Sequence, residues 1–320
     1  MTTETVLRPP HVVAPRAQGT HRTLGIERAG YVALRAADPA RAAQFAADHL
    51  GFTLIHVDDE QRHYLAAHGP DLYSLVYVRS DEGPGVDHAS WIVPDLGTLD
   101  RAAAALEERG VAVERIAESA LFRHGPAVRF LAPNGTTLEL TLGVNSQIPV
   151  SEFVPPPVAP IAPLCFDHVI LRHRDVHAAN AFAQEVMGLK ESGQITFPDG
   201  DPLLTFFRSH TLFHCYGTAR SPHDGLHHVQ FTLKNDRAIF RCYEAMREAG
   251  EVEVIWGPLR HGCGQNLALY LLDAEGHIFE YSAEEEIILD DECYEVQRWP
   301  LDDPHAGDEW SNSKPPAIMR

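Results

Sequence analysis

The sequence predicts an α+β protein with two tandem domains, each built from repeated βαβββ units that form curved mixed sheets. Two observations carry this prediction: short motifs recur in the same order in both halves, and a proline-rich segment separates the halves. The length of 320 residues agrees, because about 150 residues per domain is usual. We expect an N-terminal extension over 1–20, domains over 21–145 and 164–285, a linker over 146–163 and an acidic tail over 286–320.

Each half begins with a strand followed by a helix. Residues 30–34 align with residues 167–171, and each segment is followed by an aspartate, Asp38 or Asp175, and then by an alanine-rich run. Aspartate is favoured as a helix N-cap, and each run stops at a glycine, which is favoured just after a helix. The same strand and helix are therefore predicted at the start of both halves.

The rest of each half also matches. Three further pairs of segments recur in order: 87–91 with 227–231, 123–125 with 260–262, and 134–139 with 275–280. A helical segment follows the first pair, over residues 97–110 and 236–249, and the last pair reads as a glycine-containing turn between paired strands. Since five features recur at near-equal spacing, chance similarity among common patterns is the weaker explanation.

Six prolines between residues 149 and 163 predict a semi-rigid linker, because proline fixes its backbone angle and lacks an N–H donor. The acidic run at 290–292 in the tail predicts a solvated surface. An alternative for this tail is that Trp299 and Pro300 fold back over a binding site.

The composition disfavours several classes of protein. Against 26 Lys and Arg stand 45 Asp and Glu, and the formal net charge of −19 argues against nucleic acid or an anionic membrane as partner. No run of about 18 apolar residues predicts a membrane span, and the N-terminal residues lack the apolar core of a secretory signal. Five cysteines without a Cys-x-x-Cys pair are typical of reduced thiols. We therefore expect a cytoplasmic protein.

Three residues of the second half are candidate metal ligands. His168, His228 and Glu280 fall on predicted strands at corresponding places in the repeat, so a curved sheet would bring them together. Two imidazoles and one carboxylate leave positions open on an octahedral ion, which suits non-haem Fe(II) chemistry. His227 is adjacent, but strand alternation sends neighbouring side chains to opposite faces. We therefore expect only His228 to point at the metal, and His227 to lie behind the ligands or at the surface. The alternative is that these are hydrogen-bonded interior histidines, since the chain has 19 histidines.

The first half has Tyr31, His88 and Glu139 at the same three places. A tyrosine instead of the first histidine makes a weak divalent site. We therefore expect one competent metal site per chain, in the second half.

The second half resembles the extradiol ring-cleaving dioxygenases of the vicinal oxygen chelate superfamily, most of all the catechol 2,3-dioxygenases. The segments that carry this resemblance are 226–231, 260–262 and 270–281. The resemblance implies tandem vicinal-oxygen-chelate domains of which the first is metal-free. It further implies Fe(II) in preference to Mn(II), a catechol-type substrate with O2, and a homo-oligomer.

The resemblance also implies which residues act. The metal ligands fall on His168, His228 and Glu280. The substrate-contacting histidine falls on His261 and the family's tyrosine on Tyr270. The acid–base histidine falls on His210 if a short insertion is allowed, and His214 is the alternative nearby.

These implications predict an enzyme that opens a catechol next to its hydroxyls, giving a semialdehyde-type product in aromatic catabolism. Two alternatives stay open. One is a metal-dependent isomerase or lyase of the same superfamily, similar to glyoxalases or epimerases. The other is a binding protein for a small aromatic compound that performs no chemistry.

Overall fold

The computed structural model describes residues 24–143 and 159–319. The N-terminal extension predicted over 1–20 lies outside the described residues, as does most of the linker predicted over 146–163. In the part of the chain that is described, no helix combines the length and the apolar character needed to cross a membrane.

The first half forms one mixed sheet with two helices among the described residues. Its elements are β1 (Arg28–Ala36), α1 (Pro39–His49), β2 (Thr53–Val57), β3 (His63–Ala66), β4 (Leu75–Arg79), β5 (Gly85–Ile92), α2 (Leu96–Glu108), β6 (Glu114–Ile116), β7 (Ala127–Leu131) and β8 (Thr137–Thr141). The strand order is β2-β3-β4-β1-β5-β8-β7-β6. Two βαβββ units thus meet where β1 pairs antiparallel with β5.

The second half repeats this arrangement. Its elements are β9 (Cys165–His173), α3 (Val176–Ala181) with a π-helical turn (Phe182–Val186), β10 (Lys190–Thr196), β11 (Pro202–Arg208), β12 (Tyr216–Arg220), β13 (Gly225–Thr232), α4 (Asp236–Ala249), β14 (Val254–Arg260), β15 (Leu267–Leu272) and β16 (Ile278–Ala283). The order β14-β15-β16-β13-β9-β12-β11-β10 again joins two units at a central antiparallel pair, β9 with β13. The predicted fold class is confirmed.

The helix signals read from the sequence act as predicted. The side chains of Asp38 and Asp175 each accept a backbone N–H three residues later, at 3.0 and 2.9 Å. Gly51 and Gly188 follow the two helical runs with φ of 78° and 69°, in the left-handed region that glycine adopts with little strain.

The core determines which face of the second sheet is left for a site. Val169 and Leu171 of β9 are fully buried in a hydrophobic core that both halves share. Because side chains alternate along a strand, His168 points to the opposite face of the sheet. Phe52 of the first half packs edge-to-face on Phe231 of β13, with ring centroids 4.9 Å apart, so the halves are joined through this core.

The tail does more than form a solvated surface. Its acidic run at 290–292 is exposed, as predicted, but β17 (Gln297–Pro300) pairs parallel with β10 and extends the second sheet. A short helix, α5 (Pro304–Gly307), and a 3₁₀ turn (Ala317–Met319) follow. Met319 is buried in a cluster with Tyr270, so the 3₁₀ turn reaches the face of the sheet that carries His168. The boundary of the second domain at residue 285 stays a prediction.

Candidate metal centre

The three predicted ligands come from three different strands and meet. His168 lies on β9, His228 on β13 and Glu280 on β16, and one ligand atom from each lies within 4.8 Å of the other two. His168 Nε2 is 3.2 Å from His228 Nε2, and Glu280 Oε2 is 3.0 Å from His228 Nε2 and 3.6 Å from His168 Nε2. In residues 24–143 and 159–319, this is the one group of three or more such side chains that could hold a metal.

The electrostatics of this group suit a divalent cation. Burial raises the pKa of Glu280, but the imidazoles of His168 and His228 beside it outweigh this effect and hold that pKa well below its usual range. Burial lowers the pKa of His228, which favours the neutral imidazole that a metal requires. For His168 burial also lowers the pKa, but the nearby carboxylates of Asp167 and Glu280 bring it above the ordinary value. A buried carboxylate thus faces two imidazole nitrogens that a cation could share with it.

Asn266 orients the carboxylate and was not predicted. Its buried amide donates from Nδ2 to Glu280 Oε1 at 2.9 Å, so that Oε2 is the oxygen facing the two histidines. A single asparagine in the β14–β15 connection carries no sequence signal for this contact.

His261 and Tyr270 lie beside the same carboxylate. Tyr270 stands directly opposite Glu280 in the antiparallel pairing of β15 with β16. The Tyr270 hydroxyl is 2.9 Å from His261 Nε2, and that nitrogen is 3.9 Å from Glu280 Oε1. His261 Nδ1 donates to the Gly307 carbonyl at 2.7 Å, so in the neutral ring Nε2 accepts from Tyr270. Burial lowers the pKa of His261 and favours this neutral form.

Of the two histidines proposed for acid–base chemistry, His214 lies against the ligands. Its ring stacks near that of His168, with centroids 3.8 Å apart and planes tilted by 34°. His210 lies half-buried in the β11–β12 connection, where its Nδ1 accepts the backbone N–H of Leu212 at 3.1 Å. His214 comes two residues before β12, which pairs with β9, and this pairing carries it to His168. The geometry therefore favours His214 over His210, and the role itself stays a prediction.

Glu285 holds the ring of His214 and was also not predicted. Glu285 Oε1 lies 2.5 Å from His214 Nδ1 and 2.9 Å from the His214 backbone nitrogen. Burial lowers the pKa of His214 well below its usual value. Burial, followed by the charge of Asp167, raises the pKa of Glu285 well above its ordinary value. A neutral His214 that donates from Nδ1 keeps a lone pair on Nε2.

One expectation about the histidine pair on β13 is wrong. His227 and His228 do not point to opposite faces, because their Nδ1 atoms lie 2.6 Å apart and both residues are buried. The register between β9 and β13 shifts between Leu226 and His228, so a β-bulge interrupts the alternation.

The corresponding residues of the first half form a hydrogen-bonded cluster around Glu139. The Tyr31 hydroxyl lies 2.7 Å from Glu139 Oε1 and 2.8 Å from His88 Nε2. His124 Nε2 is 3.0 Å from the same Glu139 oxygen, and Arg129 Nε donates to Glu139 Oε2 at 2.8 Å. An arginine thus holds the carboxylate in this half.

Curated relatives are similar over most of their length. A metapyrocatechase of Pseudomonas sp. (strain CF600) is 28% identical over 263 residues, 79% of this chain and 84% of the relative. A manganese-dependent 2,3-dihydroxybiphenyl 1,2-dioxygenase of Geobacillus genomosp. 3 is 26% identical over 280 residues, which cover 84% and 88% of the two chains.

Solved structures share the fold. The 2,3-dioxygenase LapB from Pseudomonas sp. KL28 is 26% identical with a TM-score of 0.79, over 88% of this chain and 99% of LapB. A Mn(II)-bound glyoxalase from Novosphingobium aromaticivorans is 21% identical with a TM-score of 0.77, over 92% and 94% of the two chains. One match in each half, over residues 28–140 and 166–281, shows that the chain belongs to the Glyoxalase/Bleomycin resistance protein/Dioxygenase superfamily.

Proposed function

We propose that this protein is an extradiol ring-cleaving dioxygenase that opens a catechol-type ring with O2 next to the vicinal hydroxyls. The observation that carries the proposal is the convergence of His168, His228 and Glu280. The names of the metapyrocatechase, the dihydroxybiphenyl dioxygenase and LapB support the reaction class. The product expected from such a cleavage of a catechol is a ring-opened semialdehyde.

We assign His168, His228 and Glu280 as the metal ligands and Fe(II) as the metal, with Mn(II) as the alternative. A divalent ion in this site would supply Lewis acidity toward a catechol and a place for O2 beside it. The ligand set accepts either metal, and one of the relatives is named as manganese-dependent. Metal content of the purified protein, measured with activity, distinguishes the two.

His214 is the residue we assign to proton transfer. Its neutral ring donates Nδ1–H to Glu285, so that Nε2 can take the proton of a catechol hydroxyl. The stacking of His214 on His168 places this base beside the ligand cluster. Because Glu285 binds both the backbone N–H and the ring of His214, the ring is held in one orientation.

We assign to Tyr270 and His261 the orientation of the substrate oxygens. The chain of hydrogen bonds from Tyr270 through His261 to the Gly307 carbonyl fixes the direction of the Tyr270 hydroxyl. Trp256 stacks on the Tyr270 ring at 5.3 Å and an interplanar angle of 25°, which restrains it further. Tyr270 is 4% exposed, so water is largely kept from its side chain.

The test is an assay under controlled oxygen. The protein is prepared without O2, loaded separately with Fe(II) and Mn(II), and mixed with simple, alkyl- and aryl-substituted catechols before air is admitted. We expect a yellow ring-opened product and one O2 consumed per product. No O2 uptake with any catechol by a metal-loaded protein contradicts the proposal, and isomerisation of a hemithioacetal without O2 supports the glyoxalase-like alternative.

A pair of variants tests the assignment of the base. We expect His214→Ala to lower kcat by about 100-fold or more, the range for loss of a general base, with metal content retained. His210→Ala serves as the matched control in the same connection and is expected to change kcat little. A large loss of kcat in His210→Ala alone would reverse the assignment.

A further inference from the structure

A β-bulge brings His227 onto the metal ligand His228. In the pairing of β13 with β9, Leu226 stands opposite Leu171 and His228 opposite Ile170, which makes His227 the extra residue. Its Nδ1 lies 2.6 Å from His228 Nδ1. Since His228 Nε2 faces Glu280 at 3.0 Å, His227 contacts the ring nitrogen of His228 that is turned away from the ligand cluster.

Three contacts fit one arrangement of ring protons: that of His228 with the other ligands, that of His227 with His228, and that of His227 with Met319. His228 must bind a metal through Nε2, the nitrogen that faces the other ligands, so a neutral His228 carries its proton on Nδ1. His227 Nδ1 is then the acceptor, and the proton of a neutral His227 is on Nε2. That nitrogen lies 2.8 Å from the Met319 carbonyl, which can only accept.

The first half has a bulge at the corresponding place, and there a different residue contacts the following histidine. There the bulge in the pairing of β5 with β1 makes Asp87 the extra residue before His88. Asp87 Oδ2 lies 2.7 Å from His88 Nδ1. Both halves therefore place a bulge residue as an acceptor on the Nδ1 atom of the following histidine. In the second half the acceptor is an imidazole, which requires a partner of its own.

The 3₁₀ turn over residues 317–319 provides that partner and is held in place. Met319 is 7% exposed and packs in a cluster with Leu259 and Tyr270. The carbonyl of the preceding residue, Ile318, accepts from Arg172 Nη2 at 2.7 Å, and Arg172 lies on β9 with His168. The Met319 carbonyl is therefore fixed relative to the sheet that carries the ligands.

We propose that His227 is a positioning residue that sets the ring orientation and tautomer of His228, and that the backbone carbonyl of Met319 holds His227 in this role. The inference rests on the metal centre proposed above. Hydrogen-bond partners of ligating histidines commonly change metal affinity or activity by 10- to 100-fold when removed. Ile318 and Met319 are thus part of the support of the metal centre, although they lie far from the ligands in sequence.

The experiment measures Co(II) affinity and the visible spectrum of bound Co(II), which reports the ligand geometry without turnover. We expect His227→Leu to weaken Co(II) binding by about 10-fold and to alter the spectrum. His227→Asn keeps an acceptor oxygen near the place of Nδ1 and is expected to bind Co(II) nearly as well as the wild type. His177→Leu, which changes an exposed histidine on α3, is the matched control and is expected to leave both measurements unchanged.

Removal of residues 317–320 tests the role of the 3₁₀ turn that contains Met319. We expect a loss of Co(II) affinity similar to that of His227→Leu, and the two changes combined to give little further loss, because they act through one chain of contacts. Full additivity would contradict the role of Met319.

The outcomes separate the inference from the proposed function. A folded His227→Leu variant with wild-type Co(II) affinity and spectrum overturns the inference and leaves the metal centre standing. An equal loss in His227→Asn and His227→Leu also overturns it, because the Nδ1 acceptor would then not matter. If His227→Leu does not fold, the Asn variant and the truncation decide. Failure of the wild type to bind Co(II) overturns the metal centre itself.

Discussion

Where the second half has His168 and Tyr270, the first half has Tyr31 and Arg129, in two sheets that share one strand order apart from the added β17. Tyr270 pairs with Glu280 across two antiparallel strands, and Arg129 pairs with Glu139 in the same manner. His88 stands opposite Ala33 in the first half as His228 stands opposite Ile170 in the second. The two sites therefore differ in composition at corresponding positions of a shared backbone arrangement.

The two halves differ in the groups that compensate the negative charge of a buried carboxylate. Burial raises the pKa of Glu139, but His88, His124 and Arg129 outweigh it and hold that pKa far below its usual value. Arg129 supplies a permanent positive charge that needs no ligand from solution. In the second half Glu280 contacts imidazoles and the neutral Asn266 amide, an arrangement that a divalent cation can complete. The same fold thus uses one carboxylate for structure and the other for the candidate centre.

The largest effect is expected from Glu280→Gln. The amide removes the negative charge that two imidazoles cannot replace, so metal affinity should fall by more than about 100-fold, beyond the range for supporting residues. Activity should fall in parallel. Metal content by atomic spectroscopy and O2 uptake on the same preparation check this expectation. If the variant keeps both metal and activity, Glu280 is not a metal ligand.

The same change in the first half, Glu139→Gln, should affect stability instead. It leaves the Arg129 guanidinium, 23% exposed, without its carboxylate, and loss of one partner of a buried pair costs about 3 kcal/mol of unfolding free energy. Metal content should stay at the wild-type level. Urea denaturation with parallel metal analysis measures both, and a loss of metal without a loss of stability would contradict the division between the halves.

The contribution of Glu139 should also depend on pH. Because the pKa of Glu139 is depressed in the folded protein, its contribution is fully present above the ordinary value of 4.5 and is lost as the pH falls from there toward the folded pKa. The difference in unfolding free energy between wild type and Glu139→Gln should therefore stay constant above about pH 5 and shrink as the pH falls from about 5 to about 3. Urea titrations with a chelator present in both proteins test this, and a constant difference would contradict the assignment.

What the sequence could predict was set by local patterns. Strand alternation, helix caps and the repeat placed His168 and Glu280 correctly on converging strands, because each of these signals extends over a few residues. Asn266 and Glu285 could not be found in this way, since they reach the site from connections whose paths are set by tertiary packing. The prediction that His227 lies on the opposite face is wrong, because a bulge breaks the alternation on which that prediction depends.

The choice between His210 and His214 shows the same limit. Both lie in or beside one connection, and spacing to the next ligand cannot decide between them. Strand pairing favours His214, because His214 comes just before the strand that pairs with β9. The contact of Gly307 with His261 is made by a backbone carbonyl, which every residue has. The sequence therefore gives no signal for it.

A smaller effect is expected from His261→Ala, compared with His124→Ala at the corresponding place. Loss of the contact between His261 and Tyr270 should lower kcat by about 10-fold, the order of one hydrogen bond, with metal content unchanged. His124→Ala should leave kcat unchanged and lower the unfolding free energy, because Glu139 loses a contact at 3.0 Å. Steady-state kinetics across several catechols and urea denaturation check both variants. If His261→Ala has wild-type kinetics, His261 does not orient the substrate.

The smallest effect is expected when two residues of the first half are changed to the types found in the second. This change tests whether the residue types at these positions alone determine which half binds a metal. Tyr31→His combined with Arg129→Tyr gives the first half the same residue types at these positions as the second. We expect a second equivalent of Co(II) per chain, at least about 10-fold weaker than the first because its supporting contacts were built around an arginine. Tyr31→His alone should not create the site, because the Arg129 side chain stays 3.4 Å from His88 Nε2 and repels a cation. Co(II) titration followed by visible absorption gives the stoichiometry. A folded double variant that still binds one equivalent would mean that loop contacts, rather than the residues at these two positions, distinguish the two sites.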